Sequence, residues 1–200
     1  MRQSKKRAIV QTYEYELECD SSEFVALAME KAYHETICHK RFVVLINPVS
    51  GSGKAQTNYE QHARPFFESA GCFMQVCITT NHGHAMEIAK NLDLTAIDAI
   101  VCVSGDGLPH DVFNGLGQRK DACAALQTPI AMIPGGSGNA LALNLYGTSS
   151  PSVAALEIVK GIRVPIDLCS VTQGQSRYLS FLSQSWGVIA DSDLETEHLR

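Results

Sequence analysis

From position 41 onward, short apolar runs alternate with stretches of mixed, helix-like spacing. Phe42-Val43-Val44-Leu45-Ile46 is continuous, as a strand buried on both faces requires. Phe73-Met74-Gln75-Val76-Cys77-Ile78, Ala99-Ile100-Val101-Cys102-Val103 and Pro129-Ile130-Ala131-Met132-Ile133 follow. Between these runs the spacing predicts helices over 55–69, 84–91, 108–116 and 139–145. Repeated strand–helix units imply a mostly parallel sheet with helices on both faces, a Rossmann-like α/β domain over 41–162. Its last helix is expected over 151–160, with Ser150 as cap, Pro151 in the first position and Gly161 as the stop.

Beyond Gly161 the pattern changes. Residues 163–171 and 177–182 read as strands joined by the polar Thr172-Gln173-Gly174-Gln175-Ser176. No helix separates them, so the pairing is antiparallel. An antiparallel, β-rich domain is therefore expected over 163–200, cut short at Arg200 inside a helix that starts near Asp191. Ahead of the α/β domain, residues 1–40 form a lead-in segment. Tyr13-Glu14-Tyr15-Glu16-Leu17-Glu18 alternates weakly, and 23–38 has helix-like spacing through Phe24, Leu27, Ala28, Lys31 and Ala32. No chemistry is assigned there.

Composition narrows the class. Of 200 residues, 45% are hydrophobic and 18% charged, enough apolar material for a sizeable core. The formal net charge of -5 leaves no basic footprint for nucleic acid. No stretch reaches the roughly 18 apolar residues of a membrane span. Met1-Arg2-Gln3-Ser4-Lys5-Lys6-Arg7 is basic, but Ala8-Ile9-Val10 falls short of the apolar core of about 7–15 residues in a secretory signal. The expectation is a cytoplasmic protein. Seven cysteines, without a Cys-x-x-Cys pair, read as free thiols, several of them inside apolar runs.

Three glycine-rich loops each follow a buried strand, where open α/β sheets bind their ligands. In Asn47-Pro48-Val49-Ser50-Gly51-Ser52-Gly53-Lys54, glycines let backbone N–H groups approach a phosphate at a helix start. It is not a Walker loop: Pro48 stands where the first glycine belongs, and Ala55 where a magnesium-binding hydroxyl belongs. Ser104-Gly105-Asp106-Gly107 sets one carboxylate on a glycine-flanked strand end. Such a group can take a proton from a hydroxyl nucleophile or help hold magnesium. Pro134-Gly135-Gly136-Ser137-Gly138-Asn139 resembles a nucleophile elbow, but Asn139 breaks that pattern, and the loop suits phosphates better. His82 and His84 lack a nearby completing ligand and read as surface or helix-start residues. Asp111 reads as a helix cap or a partner of the helix dipole, and Asp191 and Asp193 as acidic residues of a first helical turn.

Together with Leu108, Asn114-Gly115 and Ser185-Trp186-Gly187-Val188-Ile189-Ala190-Asp191-Ser192-Asp193, these loops resemble the diacylglycerol kinase-like catalytic domain. Within that superfamily they look most like sphingosine (sphingoid long-chain base) kinases, over residues 41–200. The resemblance implies an ATP-dependent kinase that phosphorylates the primary hydroxyl of a sphingoid base, with ATP and Mg2+ as cofactors. It implies Asp106 as catalytic base. Asn47, Pro48, Val49, Thr79, Thr80, Asn81, His82, Gly83, Asp111, Gly136, Ser137, Gly138 and Arg200 would hold the nucleotide. Ser104, Gly105, Asp106 and Gly107 would touch the lipid headgroup, and Asp193 would pair with the sphingoid amine. Two alternatives stay open: a related diacylglycerol or NAD kinase-like enzyme, and a truncated, inactive nucleotide-binding fragment. The implied partners are the lipid substrate and, peripherally, intracellular or plasma membranes, with no nucleic acid and with a homodimer as an allowed assembly.

Overall fold

The computed structural model describes residues 7–14, 21–33 and 36–196, apart from the side chains of Ser21 and Asp193. The chain divides into two compact units, Met1–Pro165 and Ile166–Arg200. The first is built on parallel strands β1 (Arg41–Ile46), β2 (Phe73–Ile78), β3 (Ala99–Ser104) and β4 (Ile130–Pro134), in the order β2-β1-β3-β4. Parallel register sets Ile46 beside Ile78 and Val103, and Ser104 beside Pro134. All four carboxyl ends therefore lie in one row.

The apolar runs explain the layers. Alternation along β1 sends Phe42, Val44 and Ile46 to one face and Val43 and Leu45 to the other. The first face packs with Val101, Val103 and Ile133 against α2 (Ala55–Asn58), a π-helical turn (Tyr59–Ala63), α3 (Arg64–Ser69) and α8 (Pro151–Lys160). The second packs with Ile100 and Cys102 against α4 (His84–Asn91), α5 (Gly107–Gly117) and α6 (Ala122–Ala125). Each fully buried Val, Leu or Ile contributes about 1.5–3 kcal/mol. The expected α/β sandwich is what forms.

Differences from expectation have local causes. The helix expected over 55–69 widens at Tyr59–Ala63, where the Arg64 N–H reaches back to the Tyr59 carbonyl. Pro65, without an N–H, cannot continue the ordinary ladder there. α8 begins at Pro151 and ends at Gly161 in the left-handed region (φ 71°), as expected, but the Ser150 side chain does not cap it. That hydroxyl meets Ser152 Oγ at 3.2 Å instead. The helix expected over 23–38 is α1 (Ser21–Tyr33). In the second unit the strands are shorter than expected: β5 (Cys169–Gln173) and β6 (Ser176–Ser180) form an antiparallel hairpin, and 163–168 is not strand. Pro165 cannot donate to a ladder, which keeps that stretch out of a sheet. α9 (Val188–Thr196) follows, starting ahead of Asp191. The described cysteines are all free thiols; Cys72 and Cys102 are buried, whereas Cys123 and Cys169 are exposed.

α4 and α5 touch at Gly115. A Cβ there would lie 2.3 Å from the Met86 carbonyl oxygen and 2.9 Å from Ala89 Cβ. Alanine's helix preference of about 1 kcal/mol over glycine is too small to offset that clash with backbone. Gly115→Ala is expected to lower unfolding free energy by about 1–3 kcal/mol, the range for overpacking. Denaturant titration checks it; an unchanged midpoint would refute the close contact.

Candidate active site

β1 connects to β2 on one side and has β3 on the other, which makes the gap between β1 and β3 a topological switch point. The loops after β1 and β3 meet there. With those after β2 and β4 they form one rim, and the rim is backbone packed on backbone. A Cβ on Gly51 (φ 56°) would fall 2.9 Å from Gly135 O and from Gly136 Cα, and one on Gly136 would fall 2.2 Å from Gly105 Cα. These glycines therefore serve mutual approach as well as access for a ligand. Hydrogen bonds close the joint: Gly105 N–H donates to Ser50 Oγ (2.8 Å), Gly135 N–H to the Ser104 carbonyl (2.8 Å), and Asn47 N–H to the Val103 carbonyl (3.2 Å).

Asn139 shapes the loop after β4. It takes the left-handed conformation (φ 55°) just ahead of α7 (Ala140–Tyr146), a region asparagine tolerates better than most residues. Its Oδ1 accepts the N–H groups of Gly135 (3.1 Å) and Gly136 (2.9 Å), and its Nδ2 donates to the Gly136 carbonyl (2.7 Å). The Gly136 amide is thus committed within the loop. The N–H groups of Ser137 and Gly138 have no partner among the described residues. Tyr146 anchors the far end of α7: its hydroxyl, with a pKa pushed up to about 12 by burial, accepts the Met132 N–H at 3.3 Å.

Asp106 holds the position just before α5 but does not cap it. Its carboxylate crosses to α7, where Oδ2 accepts Ala140 N–H (2.8 Å) and Oδ1 accepts Leu141 N–H (2.9 Å). Both oxygens are fixed, and each keeps a lone pair beyond the one engaged. A Cβ on Gly138 would approach Oδ2 to 3.2 Å, so the glycine leaves room beside the carboxylate. Ser104 is buried and donates its hydroxyl to the Gly105 carbonyl (2.6 Å), whereas Gly107 is exposed at the first position of α5.

The loop after β2 is locked from both ends. Buried Thr79 donates its N–H (2.8 Å) and its hydroxyl (3.2 Å) to the Ile46 carbonyl. Thr80 N–H donates to His84 Nδ1 (3.2 Å), Thr80 Oγ1 donates to Asn81 Oδ1 (2.9 Å), and Asn81 Nδ2 donates to the His82 carbonyl. Gly83 (φ 80°) starts α4. In the loop after β1, Asn47 Oδ1 accepts Val49 N–H, and the Val49 side chain projects into solvent. Asp111 lies past the first turn of α5 and so does not cap it. It is half-buried, with His110 Nδ1 4.0 Å away and Cys102 below, whose thiol burial pushes up, with a smaller push from the Asp111 charge.

The rim therefore gathers Asn47, Pro48, Val49, Thr79 through Gly83, Ser104 through Gly107, and Gly136 through Gly138. Asp193 lies on α9 of the second unit, its side chain outside the described residues, as is Arg200. Sequence reasoning missed Ser50, Asn139 and His84 as joints of the rim. Asn139 carried a readable signal, an asparagine between a glycine turn and a helix start.

Residues 41–171 match the diacylglycerol kinase catalytic domain. The chain is 44% identical over 181 residues to sphingoid long chain base kinase 4 of Schizosaccharomyces pombe, covering 90% of this chain and 40% of that protein. To human sphingosine kinase 1 it is 39% identical over 170 residues, covering 80% of this chain and 44% of that protein. It thus spans less than half the length of these relatives. A crystal structure of a diacylglycerol kinase from Bacillus anthracis superposes with a TM-score of 0.55 at 26% identity, covering 67% of this chain and 44% of that one.

Proposed function

Because the chain belongs to the diacylglycerol kinase catalytic domain family, we propose that it transfers the γ-phosphoryl group of ATP to the primary hydroxyl of a sphingoid long-chain base. The observation that carries this reading is the Asp106 carboxylate, held at a glycine-lined switch point by two amides of α7. Asp106 accepts the hydroxyl proton as that oxygen bonds to the γ-phosphorus. The bond from the γ-phosphorus to the bridging oxygen breaks, ADP leaves, and the proton passes to solvent.

The free amides of Ser137 and Gly138, with the loop at Gly51 to Lys54, receive phosphate oxygens. Asn47, Pro48, Val49, Thr79 to Gly83 and Asp111 complete the nucleotide site. Fixed amides of this kind catalyse by position and by charge neutralisation. Among the described residues no three His, Cys, Asp or Glu side chains are grouped to hold a metal ion. The kinase reading implies magnesium, which would neutralise charge on the ATP phosphates.

Asp193 supplies the carboxylate for the substrate ammonium, which would favour an aminoalcohol over a neutral glycerolipid. The named relatives support that choice, being kinases of sphingosine or sphingoid long-chain bases. No described helix is long and apolar enough to cross a membrane. A substrate that resides in a bilayer is met at the bilayer surface, and we place the protein on its cytoplasmic side.

Incubation of the chain with radiolabelled ATP and either sphingosine or diacylglycerol tests the reading. Label is expected on sphingosine. Label on diacylglycerol alone would overturn the substrate assignment. ATP binding without transfer to either lipid would reduce the chain to a nucleotide-binding module.

A further inference from the structure

We propose that Ser50 contacts a nucleotide phosphate and ties nucleotide occupancy to the placement of Asp106, an inference that rests on the ATP reading above. Ser50 lies in the loop after β1, at the switch point. Its Oγ accepts Gly105 N–H at 2.8 Å, so this hydroxyl holds the peptide that leads into Asp106.

A hydroxyl carries one proton and two lone pairs. The bond from Gly105 engages one lone pair and fixes the oxygen, while the proton has no acceptor among the described residues. Glycine keeps the space around it open. A Cβ at Gly105 or Gly136 would come within 3.5 or 3.4 Å of this oxygen. Ser50 is half-buried, so the hydroxyl faces a shielded rim rather than open solvent.

The acceptor that suits this geometry is a phosphoryl oxygen, compact and charged, on the same rim as the free Ser137 and Gly138 amides. Donation of the proton polarises Ser50 Oγ and strengthens its bond from Gly105. Nucleotide binding thereby firms the turn that carries Asp106. Ser50 acts on the reaction through Gly105 and is a positioning residue as well as a phosphate contact.

The test is titration of ATP, by calorimetry, and of adenosine, by ligand-observed NMR, into the whole chain and its Ser50→Ala variant. Ser50→Ala is expected to weaken ATP by about ten-fold or more, the size of a lost hydrogen bond to a charged group. Adenosine affinity is expected to stay unchanged. Ser50→Cys, similar in size but a weak donor, reads the same comparison if the alanine variant does not fold. Undiminished ATP binding overturns the proposal, and so does equal weakening of ATP and adenosine, the mark of a merely structural role. A wild-type chain that binds no ATP removes the ATP reading itself, and the role of Ser50 with it.

Discussion

Gly136→Ala is expected to lower phosphoryl transfer by about 10²-fold or more, the cost of misplacing a reacting group by roughly 1 Å. The added Cβ would lie 2.2 Å from Gly105 Cα and 2.7 Å from Gly105 N. Both are backbone atoms, so no flexible side chain can swing aside. Gly105 cannot retreat freely either, because its N–H is bonded to Ser50 and its carbonyl to Ser104. Relief must come from separating the loops after β3 and β4, and that motion pulls Asp106 from Ala140 and Leu141. Unfolding free energy should fall as well, by about 1–3 kcal/mol. Gly107→Ala is the matched stability control, since nothing lies within 4 Å of its added Cβ, and its melting midpoint should hold. Wild-type turnover and wild-type melting in Gly136→Ala would refute the backbone contact.

Much of this was legible in the chain because buried parallel strands have a strong signature. β1 and β3 are built on the unbroken apolar runs 42–46 and 99–103, and every position of β3 is buried. The order of strands and loops then put the glycine turns at carboxyl ends, and α4 covers the residues its spacing predicted. What was not legible depends on contacts between distant segments. Ser50 and Gly105 are 55 positions apart, and Asp106 and Leu141 are 35 apart. No local periodicity reports such pairs. The role of the glycines is half legible: the turns suit phosphate approach, while the packing of Gly136 on Gly105 joins residues 31 positions apart. α6 and the short 3-10 turn at Leu94–Ala96 escaped because elements of three or four residues carry no period. Pro65 was the one local sign that the helix after β1 would not run straight, and it lay inside an otherwise helical pattern.

The double anchoring of Asp106 makes its amide variant more disruptive than its shape suggests. Asparagine matches aspartate in size but has one carbonyl oxygen and one NH2 group. The native carboxylate accepts Ala140 N–H and Leu141 N–H through separate oxygens. In Asp106→Asn only one amide keeps an acceptor, and the other faces a donor. An unpaired, partly buried N–H costs about 1–3 kcal/mol, so the melting midpoint should fall. Turnover should fall by about 10²–10⁴-fold, the contribution of a positioned acid–base group. The two losses report different roles. Lower melting with wild-type turnover would refute Asp106 as the base while keeping it as the clasp on α7. Lost turnover with unchanged melting would refute the clasp and keep the base. In Asp106→Ala the side chain is gone, and added formate can place a small carboxylate beside the free Ala140 and Leu141 amides. Partial recovery of transfer by formate in Asp106→Ala, and little in Asp106→Asn where the amide fills the space, is the pattern expected if the same carboxylate both anchors the rim and takes the proton.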